Sequence, residues 1–222
     1  IGWSKFKPNY LPEGIISTNG RIEAKQIEIA SKTSGRISDV QVHEGQMVQA
    51  GNVLVTMDNQ QLLAQKLEAK FGVEQAELAA EEAEAGVSLR ESELALATSE
   101  LKRAKTMYQQ HVISQEKYDQ AQAQFNSATA ALRLANATTK RSHASINAAK
   151  ANLQQLDSLL EDTTIRTPIT GRVQYQLVQP GEVIAAGGRV ITLLDVSDVY
   201  MTVFLPATHV GKLTINDEAR LI

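Results

Sequence analysis

Four histidines, His43, His111, His143 and His209, are the side chains best suited to proton transfer or metal ligation at neutral pH. They are scattered along the chain with no ligand-like spacing, so solvated or turn histidines are the expectation. Cysteine is absent. That removes thiolate nucleophiles, disulfides and sulfur-ligated zinc, and it suits an oxidising compartment. No glycine-rich phosphate loop and no nucleophile elbow occurs. The glutamates concentrate between Glu68 and Glu100, where they read as one solvated face. A net charge of -3 without a dense Lys/Arg patch offers no field for nucleic acid. These residues predict no catalytic, cofactor or metal site, and the protein is read as not an enzyme.

The elements explain where function must lie instead. The chain has 222 residues, 43% hydrophobic but only 5% aromatic, a poor supply for one large globular core. No apolar run approaches the roughly 20 residues that span a bilayer. It begins on Ile1 and stops in a strand-like pattern at Ile222, so it is read as part of a longer protein, any signal or anchoring segment preceding Ile1. All five prolines lie outside residues 13–167, and most glycines fall in two blocks, Gly35–Gly51 and Gly171–Gly188. Both blocks carry alternating runs such as "GRISDVQV" and "NVLVTM" that predict strands. Between them, from about Asn59 to Asp162, the sequence is rich in Ala, Glu, Gln, Leu and Lys, which predicts helix.

The blocks repeat each other. "SGRISDVQVHEGQMVQAGNVLVTMD" (Ser34–Asp58) aligns with "TGRVQYQLVQPGEVIAAGGRVITLLD" (Thr170–Asp195) if one residue is inserted. Gly35, Gly45 and Gly51 fall on Gly171, Gly181 and Gly187, positions read as turns of positive φ or close backbone approach. Two copies of one supersecondary unit predict a pseudo-symmetric pair. In the middle, Ala76, Ala80, Ala83, Val87, Arg90 and Leu94 recur in steps of three and four, as do Tyr118, Ala121, Phe125, Ala128, Leu132 and Ala135. Each series is a coiled-coil seam. The arms, about Asn59–Gln109 and Ser114–Leu160, match in length at roughly 70 Å each. The pattern breaks at "MYQQHVISQ" without Pro or Gly, and Ser114 suits an N-cap with Glu116 in the first turn. An antiparallel hairpin returns the chain to where it left, so Asp58 and Thr163 should be neighbours. Folding at Val112 predicts that Glu74 pairs with Lys150, Glu84 with Lys140 and Glu91 with Arg133.

Duplicated β-motifs around a long helical hairpin resemble the periplasmic adaptor, or membrane fusion, proteins of the HlyD/AcrA type. The β-blocks resemble the two halves of a lipoyl (biotinyl-carrier-like) domain. The resemblance implies an elongated α+β multidomain chain. Residues 1–28 would hold an N-terminal segment and the first strand of a β-barrel domain. The lipoyl halves would be 29–58 and 163–196, the hairpin 59–162, and 197–222 the start of a truncated β-barrel. It further implies an adaptor that bridges an inner-membrane transporter, ATP-driven (ABC) slightly favoured over proton-driven, to a TolC-type outer-membrane channel. The adaptor would work in the periplasm as a self-associated ring, typically a hexamer, anchored through a segment outside this chain. Members that dock on such channels carry Arg, Leu and Ser at set spacing on the hairpin tip. Arg103, Met107 and Ser114 occupy those positions, with Met in place of Leu.

The lipoyl-like motif raises one rival, a swinging-arm carrier of an acyl-transfer enzyme, which needs a lysine in a tight turn between the halves. Here "TMDNQQ" leads into the helix and "EDTTIRTP" leads out, and neither holds a lysine. A plain structural coiled coil would leave the duplicated β-motif unexplained.

Overall fold

The computed structural model describes residues 17–205, 207–211 and 214–219. The sequence reading of residues 1–16 lies outside the described residues. The strands are β1 (Gly20–Ala30), β2 (Gly35–Val40), β3 (Met47–Val48), β4 (Val53–Met57), β5 (Thr164–Arg166), β6 (Gly171–Gln176), β7 (Val183–Ile184) and β8 (Arg189–Val203). Helices α1 (Gln60–Gln109) and α2 (Gln115–Asp162) lie between β4 and β5, and the short α3 (Ala207–Val210) follows β8. The chain divides into two units, one of residues 1–57 with 164–222 and one of residues 58–163.

The β unit has two four-stranded sheets, ordered β1-β8-β6-β3 and β5-β4-β2-β7. Exchanging β1–β4 for β5–β8 turns one order into the other, so the sequence repeat is a structural two-fold. It holds bond by bond. Gly181 N–H donates to Ile37 O and Gly45 N–H to Val173 O, both at 2.8 Å. Gly187 N–H donates to Ser31 O as Gly51 N–H does to Thr167 O, again at 2.8 Å. The strands are shared between the copies: β2 pairs with β7 and β3 with β6. Neither half has a complete sheet of its own. The core draws on matching positions of both, Ile29 with Ile165, Ile37 with Val173, Val42 with Val178 and Val48 with Ile184, all buried.

The ladders also place the extra residue of the second copy. Val55 pairs with Ile165 and Thr56 with Thr164, as Ile191 pairs with Ile29 and Thr192 with Glu28. The strands thus match without a gap up to Met57 and Leu193, and the insertion is Leu194. Both copies then end on an aspartate turn. Asp58 Oδ1 accepts from Gln60 N–H at 3.2 Å, and Asp195 Oδ1 from Ser197 N–H at 3.0 Å. The second turn takes residues 196–198 out of the ladder, so register passes from Lys25↔Asp195 to Ala24↔Val199. Beyond it, β1 and β8 continue as a two-stranded ribbon from Ala24↔Val199 to Gly20↔Val203. In the first copy the chain instead leaves for the helices and returns on the neighbouring strand, Thr56 opposite Thr164. The exit and the return are adjacent, as the matched arm lengths require.

The helical unit is an antiparallel pair of 50 and 48 residues. Its seam holds the buried residues Ala69, Val73, Ala80 and Ala97 of α1 and Ala128 of α2. Alanines let the axes approach closely but bury little apolar area per layer. The cross-helix polar contacts correct the expected register. Lys150 Nζ meets Glu77 at 2.7 Å rather than Glu74, and Glu84 meets His143 Nε2 at 3.1 Å rather than Lys140. Glu91 and Arg133 form no ion pair among the described residues; Arg90 pairs with Glu93 along α1 instead, and Lys66 with Asp157 across the hairpin. Helical side chains lean toward their own N-terminus. In an antiparallel pair, residues whose Cα atoms are level therefore lean apart, and those offset by one turn lean together. The shift of three residues in these two pairs is close to that turn. Lys66 and Asp157 instead meet within one residue of the level counted from Val112, so the offset is not uniform along the hairpin.

The hairpin tip as candidate docking site

The turn between α1 and α2 is built from backbone bonds that need no glycine. Val112 N–H donates to Met107 O and His111 N–H to Tyr108 O, both at 2.9 Å. This is the Schellman arrangement, which ends a helix with one residue in the left-handed region. His111 takes that position at φ 57°. Ser114 starts α2 as expected: at φ -72° and ψ 157° its Oγ accepts from Lys117 N–H at 3.4 Å. The rings of Tyr108 and Tyr118 stack across the seam just below, centroids 5.3 Å apart at 18°.

One side of this turn is a shallow open groove of about 450 Å³. Arg103, Ala104 and Met107 line it from α1, Lys117, Gln120 and Ala121 from α2, with Ile113 at the turn. Arg103 and Met107 are one helical turn apart, and both are exposed, Met107 at 40%. The structure brings these two of the three sequence-derived residues into one groove. Ser114 is not in its lining; it is exposed and its hydroxyl is engaged by the cap. Ile113 and Gln120 are groove residues that the sequence reading did not single out. The signal for Ile113 was an apolar residue inside a polar turn. The groove presents Arg103 and Lys117 as cationic donors beside Glu100, around an apolar floor of Ala104, Ala121 and Met107. A guanidinium in that setting can donate to carboxylates or to the free carbonyls at a helix end.

Other polar groups of the β unit hold its corners and turns. Among the described residues no three of His, Cys, Asp and Glu come together as metal ligands. The Ser197 hydroxyl and N–H hold the Asp195 carboxyl below the usual carboxylate range. The buried hydroxyls of Ser31 and Thr167 each donate at 2.6 Å to the carbonyl two residues on, Thr33 and Ile169, fixing the corner before β2 and β6. They extend the internal repeat upstream of the sequence alignment, where "SKTSGR" faces "TPITGR". No described helix is long and apolar enough to cross a membrane.

Two four-stranded sheets related by a two-fold, with a helical hairpin between β4 and β5, are the plan of a barrel-sandwich hybrid. Residues 25–195 match the barrel-sandwich hybrid domain of RND membrane fusion proteins, a span that begins and ends on the ladder pair Lys25↔Asp195. The chain belongs to this membrane fusion protein family. The uncharacterized protein YdhJ of Escherichia coli (strain K12) is 31% identical over 80 residues, which are 35% of this chain and 27% of that protein. The aligned part is thus about a quarter of the length of that relative. Among solved structures, MacA from Actinobacillus actinomycetemcomitans aligns at 21% identity and TM-score 0.49 over 88% of this chain and 57% of its own. The periplasmic adaptor protein EmrA aligns at 15% identity and TM-score 0.48 over 90% of this chain and 81% of its own.

Proposed function

We propose that the protein is the periplasmic adaptor of a tripartite efflux or type I secretion system, joining an inner-membrane transporter to a TolC-type outer-membrane channel. Its work is mechanical: to join, to seal and to transmit conformational change, with no catalytic step. The observation that carries this reading is the groove at the hairpin turn, where Arg103 and Met107 stand exposed at the end of a long pair of helices. Arg103 donates to the channel's helical hairpins, Met107 fills their irregular grooves, and Ser114 presents the capped start of α2. Several copies, a hexamer by resemblance, form the conduit, anchored to the inner membrane through a segment outside this chain. The HlyD-like sequence pattern favours an ATP-driven transporter, whereas the family description names RND systems. Co-purification with the transporter encoded beside it separates the two.

Arg103→Asp tests the docking assignment. The variant is expected to lose transport and tip-dependent crosslinking to the channel while its circular dichroism is unchanged. Normal transport by Arg103→Asp would overturn the assignment.

A further inference from the structure

Cysteine is absent, so four methionines are all the oxidisable sulfur in this sequence. Their surroundings separate them. Met57 is buried, and its sulfur already accepts from the hydroxyls of Ser31 at 3.4 Å and Thr33 at 3.8 Å. Met47 and Met201 are exposed on strands β3 and β8 of the β unit. Met107 alone belongs to the helical unit, where it is exposed in the groove at the turn together with Arg103 and Lys117. Its backbone carbonyl accepts from Val112 N–H, but its side chain takes no part in that bond. The thioether can therefore change chemically without unmaking the turn.

We propose that Met107 is a reversible oxidation site, and that its conversion to the sulfoxide by hypochlorous acid or hydrogen peroxide blocks docking of the free hairpin tip. The inference rests on the docking reading above and adds a control to that surface. In the net step the thioether loses two electrons and gains one oxygen. Hypochlorous acid is reduced to chloride with release of a proton, hydrogen peroxide to water. The groove lining carries two cations, Arg103 and Lys117, to one carboxylate, Glu100, a balance that draws hypochlorite toward the sulfur. The product differs from the thioether in both properties that docking uses. It puts a polar oxygen into a floor otherwise made by Ala104 and Ala121. That oxygen is also an acceptor one helical turn from Arg103, so the guanidinium that donates to the partner gains a competitor on its own helix. Methionine sulfoxide reductases return the thioether, which makes the change a switch rather than a lesion. A docked tip covers its sulfur, so the undocked protein is the form that reacts.

The test uses the full-length protein with Met47→Leu and Met201→Leu, two positions outside the groove, treated with hypochlorous acid before it meets the channel. Peptide mass spectrometry is expected to find Met107 heavier by about 16 Da and Met57 unchanged. On the oxidised protein alone, phenylglyoxal should modify Arg103 about threefold more slowly, the effect of one added hydrogen bond, with helical circular dichroism unchanged. Tip-dependent crosslinking to the channel should fall about tenfold and return after treatment with methionine sulfoxide reductases. Met107→Gln, which mimics the sulfoxide, should crosslink as weakly as the oxidised protein. In Met107→Leu, oxidation should leave crosslinking at that variant's own untreated level. A Met107 that stays a thioether while free methionine is oxidised would overturn the proposal. So would a complete sulfoxide that leaves crosslinking or Arg103 labelling unchanged, or an equal oxidative loss in Met107→Leu. A tip that does not crosslink even before oxidation removes the docking reading, and this inference with it.

Discussion

Gly35 and Gly171 occupy the same place in the two copies of the β-motif, yet their surroundings differ. A Cβ on Gly171 would lie 2.5 Å from the carbonyl oxygen of Leu194, which is backbone of a central strand. One on Gly35 would lie 2.7 Å from the terminal methyl of Met57, the far end of a flexible side chain. Gly171→Ala is therefore expected to cost about 2 kcal/mol or more, and Gly35→Ala less than about 1 kcal/mol, in urea unfolding. Equal losses would show that the two-fold extends to packing as well as to backbone. The glycines themselves were legible from their paired spacing: Gly45, Gly51, Gly181 and Gly187 all sit at φ between 81° and 89°. Which glycine meets backbone and which meets a yielding methyl was not legible, because it depends on strands far away in sequence. Asp195 is a similar case. Its match to Asp58 was visible, but the Ser197 bonds that hold its carboxyl low depend on the chain turning out of the ladder there.

Helix ends and seams are where local pattern speaks most directly. The steps of three and four located both seams, and Ser114 was readable as a cap because its hydroxyl acts within one turn. The end of α1 was harder. It has no glycine, so the break could be placed but not explained until His111 was seen in the left-handed region. For a residue with a Cβ that conformation costs roughly 1–2 kcal/mol. His111→Gly should thus stabilise the hairpin by about 1 kcal/mol, read as a higher melting temperature by circular dichroism at 222 nm. A lower one would mean that the imidazole contributes more than its backbone strain removes. The charge register was the clear miss at this scale. Counting from Val112 treats side chains as level with their Cα atoms. The lean toward each helix N-terminus fits Glu77 and His143 standing where Glu74 and Lys140 were expected, while Lys66 and Asp157 keep to the level count within one residue.

At the scale of the molecule, the chain leaves and re-enters the β-sandwich between paired strands, Thr56 opposite Thr164. Replacing residues 59–162 by an Asn-Gly turn should leave a folded sandwich with one cooperative melt, since such a turn joins adjacent antiparallel strands. A shortened chain without that transition would make the hairpin part of the sandwich's folding rather than an excursion from it. The halves are not separable in the same way, because β2 completes its sheet with β7 and β3 with β6. By itself the sequence determined the duplicated motif, the matched arms and the exclusion of thiol chemistry. Those follow from periodicity, spacing and residue type, which are properties of neighbours in the chain. Only the tertiary structure decided that the copies exchange strands, that Leu194 is the extra residue, and that Arg103 and Met107 share a groove with Ile113 while Ser114 stands outside it. Each of these depends on contacts between residues remote in sequence, whose geometry is fixed only when the backbone closes on itself.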